Sequence, residues 1–328
     1  MNAEEMDIFF GGTIPSISGD CEIRHLSNQQ PITNQWRQTL REINPSIILA
    51  SWMTPSLPLE HIDSPECALK YVCYTSGSVK HLVPRTFIEK GGLVTNWGTL
   101  VAHAVAEHAL LLGLAALRNL GCWRHVIANS SQIRRPAFFL QTLLLRGKRV
   151  GIHGYGAVAR ALVALLKPFD VRVKAYSSGV PSWLMNRDGV APCDSLEELF
   201  ASSEVLFECE ALRPDTETSV TAGLLALLPE NAAFINVGRG RVVDEEALCR
   251  EAQARRIRVA LDVVAQEPLT GQSPLVKLEH PVLSPHVGGP TSDQYRMCGR
   301  FVINNIRNYM ARDTLCGLVT LEMYDLAT

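Results

Sequence analysis

The chain has 328 residues, too many for one ordinary core and enough for about two domains of roughly 150 residues each. With 47% hydrophobic and 20% charged residues it has the balance of a packed globular protein, which excludes a disordered chain. A formal charge of -2 and the lack of any Lys/Arg cluster remove the electrostatic case for nucleic acid or an anionic membrane as partner.

The N-terminus, MNAEEMDIFF, is acidic where a signal peptide would be basic. The longest apolar stretch, Ala104 to Leu117, is broken by Glu107 and His108 and falls short of a membrane span. Nine scattered cysteines, none spaced as C-x-x-C, read as free thiols of a reducing, cytoplasmic compartment rather than as disulfides or a zinc site.

Short β-rich runs alternate with polar connections through the first hundred residues. Strands are expected at Met6–Phe10, Cys21–His25, Ser46–Ala50, Tyr71–Tyr74 and Leu93–Asn96, with helices at Thr33–Ile43 and Thr86–Lys90. Val101–Leu120, almost wholly apolar and rich in Ala and Leu, predicts a helix buried on most sides, between domains or at a subunit interface. From Arg149 the alternation is clearer. Strands are expected at Arg149–His153, Val171–Tyr176, Val205–Cys209, Phe234–Val237, Val259–Val263 and Val282–Ser284. Helices are expected at Val158–Leu166, Leu196–Phe200, Glu245–Gln253 and Asp293–Met310. This βα order predicts two doubly wound parallel-sheet domains of the Rossmann type.

The sharpest local signal lies in GKRVGIHGYGAVARAL (147–162), where Gly154, Gly156 and Ala159 form G-x-G-x-x-A between a strand and a helix. Gly154 permits the tight turn, Gly156 the approach of backbone to a pyrophosphate, and Ala159 close helix–strand packing. The backbone of Tyr155, Ala157 and Val158 then opens the helix end that attracts phosphate charge. An acidic residue for the adenosine ribose is expected about 20 residues on. Ser177 and Ser178 stand there instead, so NAD and NADP both stay open as the cofactor. Arg213 and Arg187 are the cations that could reach a 2′-phosphate.

Three downstream segments are more specific: FINVGRGRVVDEEAL (234–248), ALDVVAQEPL (260–269) and LSPHVGGPT (283–291). With GLVTNWGTLVAHAVAEHALLL (92–112), they resemble the D-isomer-specific 2-hydroxyacid dehydrogenases over nearly the whole length. The resemblance implies that Arg239 binds the substrate carboxylate and polarises its carbonyl. It implies His286 as general acid/base and Glu267 as its partner. Val237, Gly238 and Asp262 would lie along the cofactor, Asp262 beside its nicotinamide end. Ser76 and Gly77, in YTSGSVK, would offer backbone N–H groups to the substrate carboxylate. The chain departs from the family at Thr75, Val79 and Lys80 in that loop, with Lys80 a possible extra positive charge. It departs again at Cys209 and Ala211 after a later strand.

These residue types suit the chemistry. Reduction of a 2-ketoacid leaves negative charge on oxygen, which a histidine titrating near neutrality can quench. A carboxylate beside the ring favours the imidazolium and orients it. A guanidinium meets the substrate carboxylate bidentately. His103, Glu107 and His108 share a helix face at metal-ligand spacing, but the apolar setting and a reaction that needs no metal favour packing.

The resulting expectation is a substrate domain at 1–98 and 290–328 around an NAD(P)-binding domain at 99–289, with the substrate in the cleft between them. The enzyme would interconvert small D-2-hydroxyacids and 2-ketoacids, glyoxylate and hydroxypyruvate among the candidates, as a homodimer joined through the apolar helix. Two other readings stay open. One is a nucleotide-sensing protein like the co-repressors that share the fold. The other is a dehydrogenase for a different small anionic donor, as in formate or phosphite dehydrogenases.

Overall fold

The computed structural model describes residues 1–17, 21–26, 33–129, 133, 135–278 and 280–326. The chain divides into two compact units, Met1–Val101 with Pro290–Thr328, and Ala102–Gly289.

In the first unit the helices are α1 (Ala3–Phe10), α2 (Thr33–Ile43), α3 (Leu59–Ile62) and α4 (Arg85–Glu89), with α13 (Tyr295–Ala311) and α14 (Leu321–Leu326) from the C-terminal part. Its strands β1 (Ile47–Ala50), β2 (Tyr71–Tyr74) and β3 (Leu93–Thr95) form a parallel sheet in that order. Alternate residues of β1 and β2 face two cores. Ile48, Ala50, Val72 and Tyr74 pack with Trp36, Leu40 and Phe87, while Tyr71 and Cys73 pack with Val302 and Ile306 of α13. A sheet covered on both faces reads as continuous hydrophobic runs, and YVCY is buried at every position.

Two expected strands are not strands. Met6–Phe10 lies inside α1, where Asn2 and Glu5 form a reciprocal capping box that outweighs the β-like pattern. Phe9 of that helix is buried, and Gly299 of α13 is needed because a Cβ there would fall 2.1 Å from the Phe9 carbonyl oxygen. Cys21–His25 has no regular structure and is exposed throughout, so no apolar face drives it into the sheet.

The second unit holds α5 (Ala102–Leu117), α6 (Trp123–Ala128), α7 (Pro136–Phe139), α8 (Ala157–Leu166), α9 (Ser182–Arg187), α10 (Leu196–Ser202), α11 (Ala222–Leu227) and α12 (Glu245–Gln253). Its strands are β4 (Arg149–His153), β5 (Arg172–Tyr176), β6 (Ala191–Pro192), β7 (Val205–Glu208), β8 (Ala233–Asn236), β9 (Arg258–Leu261) and β10 (Val282–Leu283). All pair in parallel, in the order β10-β9-β8-β7-β4-β5-β6. The order reverses between β4 and β7, the switch point at which doubly wound sheets bind ligands beyond their strand C-termini. The expected apolar helix is α5. It packs on α8 and over β8 and β9, and Gly113 lets it close on the Phe207 ring, 2.9 Å from where a Cβ would stand. Among the described residues no helix is long and apolar enough to cross a membrane.

Candidate active site

The fingerprint loop leaves β4 at His153 and enters α8. Gly154 has φ +83, and a Cβ there would fall 2.6 Å from the Glu210 backbone, so only glycine fits. Gly156 is the N-cap and makes no side-chain cap. A Cβ at Gly156 would meet no atom within 4 Å, so that space is open to a ligand. Among the described residues the N–H groups of Ala157, Val158 and Ala159 find no protein acceptor. An open helix end with free donors suits a pyrophosphate. Tyr155 contributes backbone alone: its ring is buried in the core and its hydroxyl reaches Asp188 Oδ2 at 3.2 Å.

Ser177 and Ser178 follow β5, half-buried and exposed respectively. Ser177 Oγ donates to Glu210 Oε2 at 3.3 Å. At the end of β8, Val237 is buried, and the Asn236 side chain ties the turn by accepting from the Gly238 N–H (3.0 Å) and donating to the Arg239 carbonyl (3.2 Å). Gly240 is needed because a Cβ would lie 1.9 Å from the Val264 carbonyl carbon. That close fit brings the Arg239 turn beside the segment carrying Glu267. Burial pulls the Arg239 guanidinium below its ordinary value, and Glu267 offsets part of this. The Arg239 Nη1 donates to the Gly238 carbonyl at 2.8 Å, which folds the guanidinium back onto its own turn.

His286 Nδ1 lies 2.5 Å from Glu267 Oε2. Both remain open to solvent, with 50% and 36% of their side chains exposed. Glu267 is steadied through Oε1, which accepts from the Val264 N–H at 3.3 Å. His286 itself has φ 54, a left-handed conformation unusual for a non-glycine residue. Asp262 at the end of β9 imposes it. The Asp262 carbonyl accepts from the His286 N–H (2.9 Å), and its carboxylate accepts from Val287 N–H (2.9 Å), Gly288 N–H (2.8 Å) and Ser284 Oγ (2.7 Å). His108 of α5 closes the set, its Nε2 2.9 Å from Ser284 Oγ and 3.2 Å from Asp262 Oδ1. Burial alone would raise the Asp262 carboxyl, but these hydrogen bonds hold it down to about 2. Asp262 therefore spends its acceptors on the loop that presents His286.

His108 and Ser284 were not singled out from the sequence as parts of this support. The signal was present, since a histidine in an otherwise apolar helix calls for a buried partner. His103 and Glu107 point outward and are exposed.

In the first unit, Ser76 and Gly77 follow β2. Their carbonyls are tied back, Ser76 by the Trp97 N–H (3.2 Å) and Gly77 by Asn96 Nδ2 (2.6 Å). Trp52 Nε1 donates to Ser76 Oγ at 3.0 Å. A Cβ on Gly77 would come 2.9 Å from the Trp97 indole nitrogen, so the loop needs glycine there. Among the described residues the N–H groups of Ser76, Gly77 and Ser78 have no protein acceptor, the disposition an anion requires. Lys80 adds no charge to this cradle. Its Nζ donates to the Asp325 carbonyl at 3.3 Å and sits over the Tyr324 ring.

The family described as D-isomer specific 2-hydroxyacid dehydrogenase, NAD binding domain, matches residues 110–288. The chain belongs to this family of NAD(P)-dependent oxidoreductases. A glyoxylate reductase of Pyrococcus furiosus is 30% identical over 246 residues, covering 71% of this chain and 70% of that one. The human glyoxylate reductase/hydroxypyruvate reductase is 26% identical over 290 residues, 88% of each chain. The chain spans 48% of the length of the D-3-phosphoglycerate dehydrogenase of Methanocaldococcus jannaschii, to which it is 27% identical. Among solved structures, an NADPH-dependent glyoxylate/hydroxypyruvate reductase of Sinorhizobium meliloti has a TM-score of 0.72 at 25% identity, covering 88% of each chain.

Proposed function

We propose that this chain is a D-2-hydroxyacid dehydrogenase acting on a small 2-ketoacid or its D-hydroxyacid, with His286 as acid/base, Glu267 as its partner and Arg239 as carboxylate and carbonyl binder. The observation that carries the reading is the 2.5 Å contact of His286 Nδ1 with Glu267, open to solvent and sharing its carboxylate's field with Arg239.

The glycine loop, the free donors of α8 and the turn at Gly238 fit a nicotinamide dinucleotide, with Gly154, Tyr155, Gly156, Ala157, Val158, Ser177, Ser178, Val237 and Gly238 lining it. The chemistry supplied by a bound nicotinamide is transfer of hydride to or from the carbinol carbon. The protein's part begins with Arg239, which takes the substrate carboxylate and polarises the adjacent carbonyl. With Nδ1 held by Glu267, His286 keeps Nε2 for the substrate oxygen, giving it a proton in reduction and taking one in oxidation. Glu267 stabilises the imidazolium and fixes the tautomer. The amides of Ser76 and Gly77 supply further donors to the carboxylate. Half-buried Arg239 acts at reduced dielectric, where preorganised charge is worth most.

Substrate breadth follows the relatives, several of which are named for glyoxylate or hydroxypyruvate. We place the enzyme in a reducing cytoplasm, in keeping with nine cysteines that form no disulfide among the described residues, and as a homodimer. The support for the dimer is exposed apolar surface at Leu111 of α5 and at Trp123, Ile127, Phe138 and Phe139 just after it. Light scattering that returns a monomer at micromolar concentration would remove the dimer.

The test of function follows oxidation of NADH and NADPH in parallel across a panel of 2-ketoacids, with His286→Ala as control. Turnover lost in the variant is the expected result. If both coenzymes bind yet none is consumed with any ketoacid, the sensor reading or a different anionic donor takes its place.

A further inference from the structure

The carboxylate missing from the end of β5 has a counterpart just beyond β7. His153 and Glu208 close β4 and β7 side by side in register. His153 Nδ1 lies 2.6 Å from Glu208 Oε2, and both side chains are sealed from solvent. Glu208 Oε1 accepts from the Glu210 N–H at 2.8 Å, which sets the turn beyond the strand. That turn aims the Glu210 carboxylate at the end of β5. Its Oε2 accepts from Ser177 Oγ at 3.3 Å and lies 4.0 Å from His153 Nε2. Its Oε1 accepts from Arg213 Nη1 at 2.8 Å and from the Ala211 N–H at 3.0 Å. The backbone of Glu210 also abuts the glycines of the cofactor loops. A Cβ on Gly154 would lie 2.6 Å from its Cα, and one on Gly238 would lie 2.8 Å from its carbonyl oxygen. Glu210 and the fingerprint are therefore packed as one piece.

The charges decide which ribose this corner accepts. Glu208, Glu210 and Asp215 face one guanidinium and one imidazole, so the cluster stays negative even with the ring protonated. Arg213 is claimed twice, by Glu210 and by Asp215 through Nε (3.1 Å) and Nη2 (3.2 Å). Arg187, the other cation within the sequence expectation, donates to Asp188 Oδ1 at 3.2 Å and lies over the Trp183 ring. A phosphate monoester brings about -1.5 to -2 charges; Arg213 is already engaged on both sides, and Arg187 is turned toward Asp188. A ribose diol brings two hydroxyl donors, which a carboxylate accepts.

We propose that Glu210, braced by Arg213 and Ser177, takes the place of the acidic residue absent from the end of β5, binds the adenosine ribose hydroxyls and makes the chain select NADH over NADPH. The inference rests on the dinucleotide-binding reading above and adds a selecting residue to it.

Isothermal titration calorimetry of the purified chain with NADH and NADPH tests it without turnover. The unmutated chain should bind NADH about tenfold or more tightly, the scale of a hydrogen bond to a charged group. Glu210→Gln should weaken NADH, strengthen NADPH and shrink their ratio by about tenfold. Ser177→Ala, which removes one brace of the Glu210 carboxylate, should shrink the ratio in the same direction by a smaller factor. Equal or tighter binding of NADPH by the unmutated chain overturns the proposal. So does a folded Glu210→Gln protein with an unchanged ratio. Binding of neither coenzyme would remove the dehydrogenase reading itself.

Discussion

The dinucleotide-binding unit carries the set histidine, glutamate and arginine twice. At one end His286 touches Glu267 at 2.5 Å with Arg239 nearby, and half of the histidine side chain is open. At the other, His153 touches Glu208 at 2.6 Å with Glu210 and Arg213 beyond, and the histidine is 2% exposed. The two contacts are nearly the same length; access separates them. Burial works against charge on His153, yet the two glutamates overcome it and hold the ring above its ordinary value. A proton on that ring has no substrate to meet. A sealed pair shapes the strand ends, and an open pair can exchange a proton with a ligand.

The comparison is sharpened most by deleting each histidine. His286→Ala should lower turnover by about 10³ or more, the range of a lost general acid/base, while coenzyme binding and melting temperature stay close to those of the unmutated chain. Steady-state kinetics and calorimetry check both halves. His153→Leu should do the opposite, destabilising the fold by about 3–5 kcal/mol in a denaturant titration, because Glu208 is left buried and uncompensated. Replacing Glu208 by leucine as well should return much of that loss, since a sealed pair can be exchanged for apolar packing. No such repair is expected from the double change at 267 and 286. If His153→Leu left stability untouched, the division between the two ends would collapse.

Arg239→Lys ranks next. A point charge cannot replace a planar fork at a carboxylate, and turnover at subsaturating ketoacid should fall by about 10². The smallest effect is one of pH. The Asp262 carboxyl is lowered from 3.8 to about 2 in the folded chain. Its contribution is therefore complete above the unfolded value and lost as pH falls through the folded one. The stability advantage over Asp262→Asn should be at most about 2 kcal/mol near neutrality, persist to about pH 4 and vanish toward pH 2. An advantage that faded already at pH 5 to 6 would show that Asp262 is not the titrating group.

Much of the second unit was legible because its central strands β4, β7, β8 and β9 are runs buried on both faces and the βα turn after β4 carries its own punctuation. Arg239, Glu267 and His286 lie in segments whose resemblance to one family is dense, and the fold brings Glu267 and His286 into contact. The first unit was less legible. MDIFF reads as a strand by composition, and only the Asn2–Glu5 capping box, closed between residues three apart, makes it helical. Glu210 was invisible for a different reason. Its meaning depends on Ser177, 33 residues away, and on the parallel register that sets β4 between their strands. Lys80 illustrates the same limit, since its partners lie on α14 at the far end of the chain.

The left-handed backbone at His286 has a consequence for how such a protein changes over generations. The loop's shape is dictated from beneath by Asp262, which grips the peptide groups on either side and not the imidazole. Position 286 is thus a socket whose occupant can be exchanged without dismantling the mounting, and glycine or asparagine would sit there with less backbone strain than histidine. A lineage that lost its substrate could discard the ring in one step and keep a folded, coenzyme-binding chain. Converter and reader of the coenzyme pool would then differ by one codon.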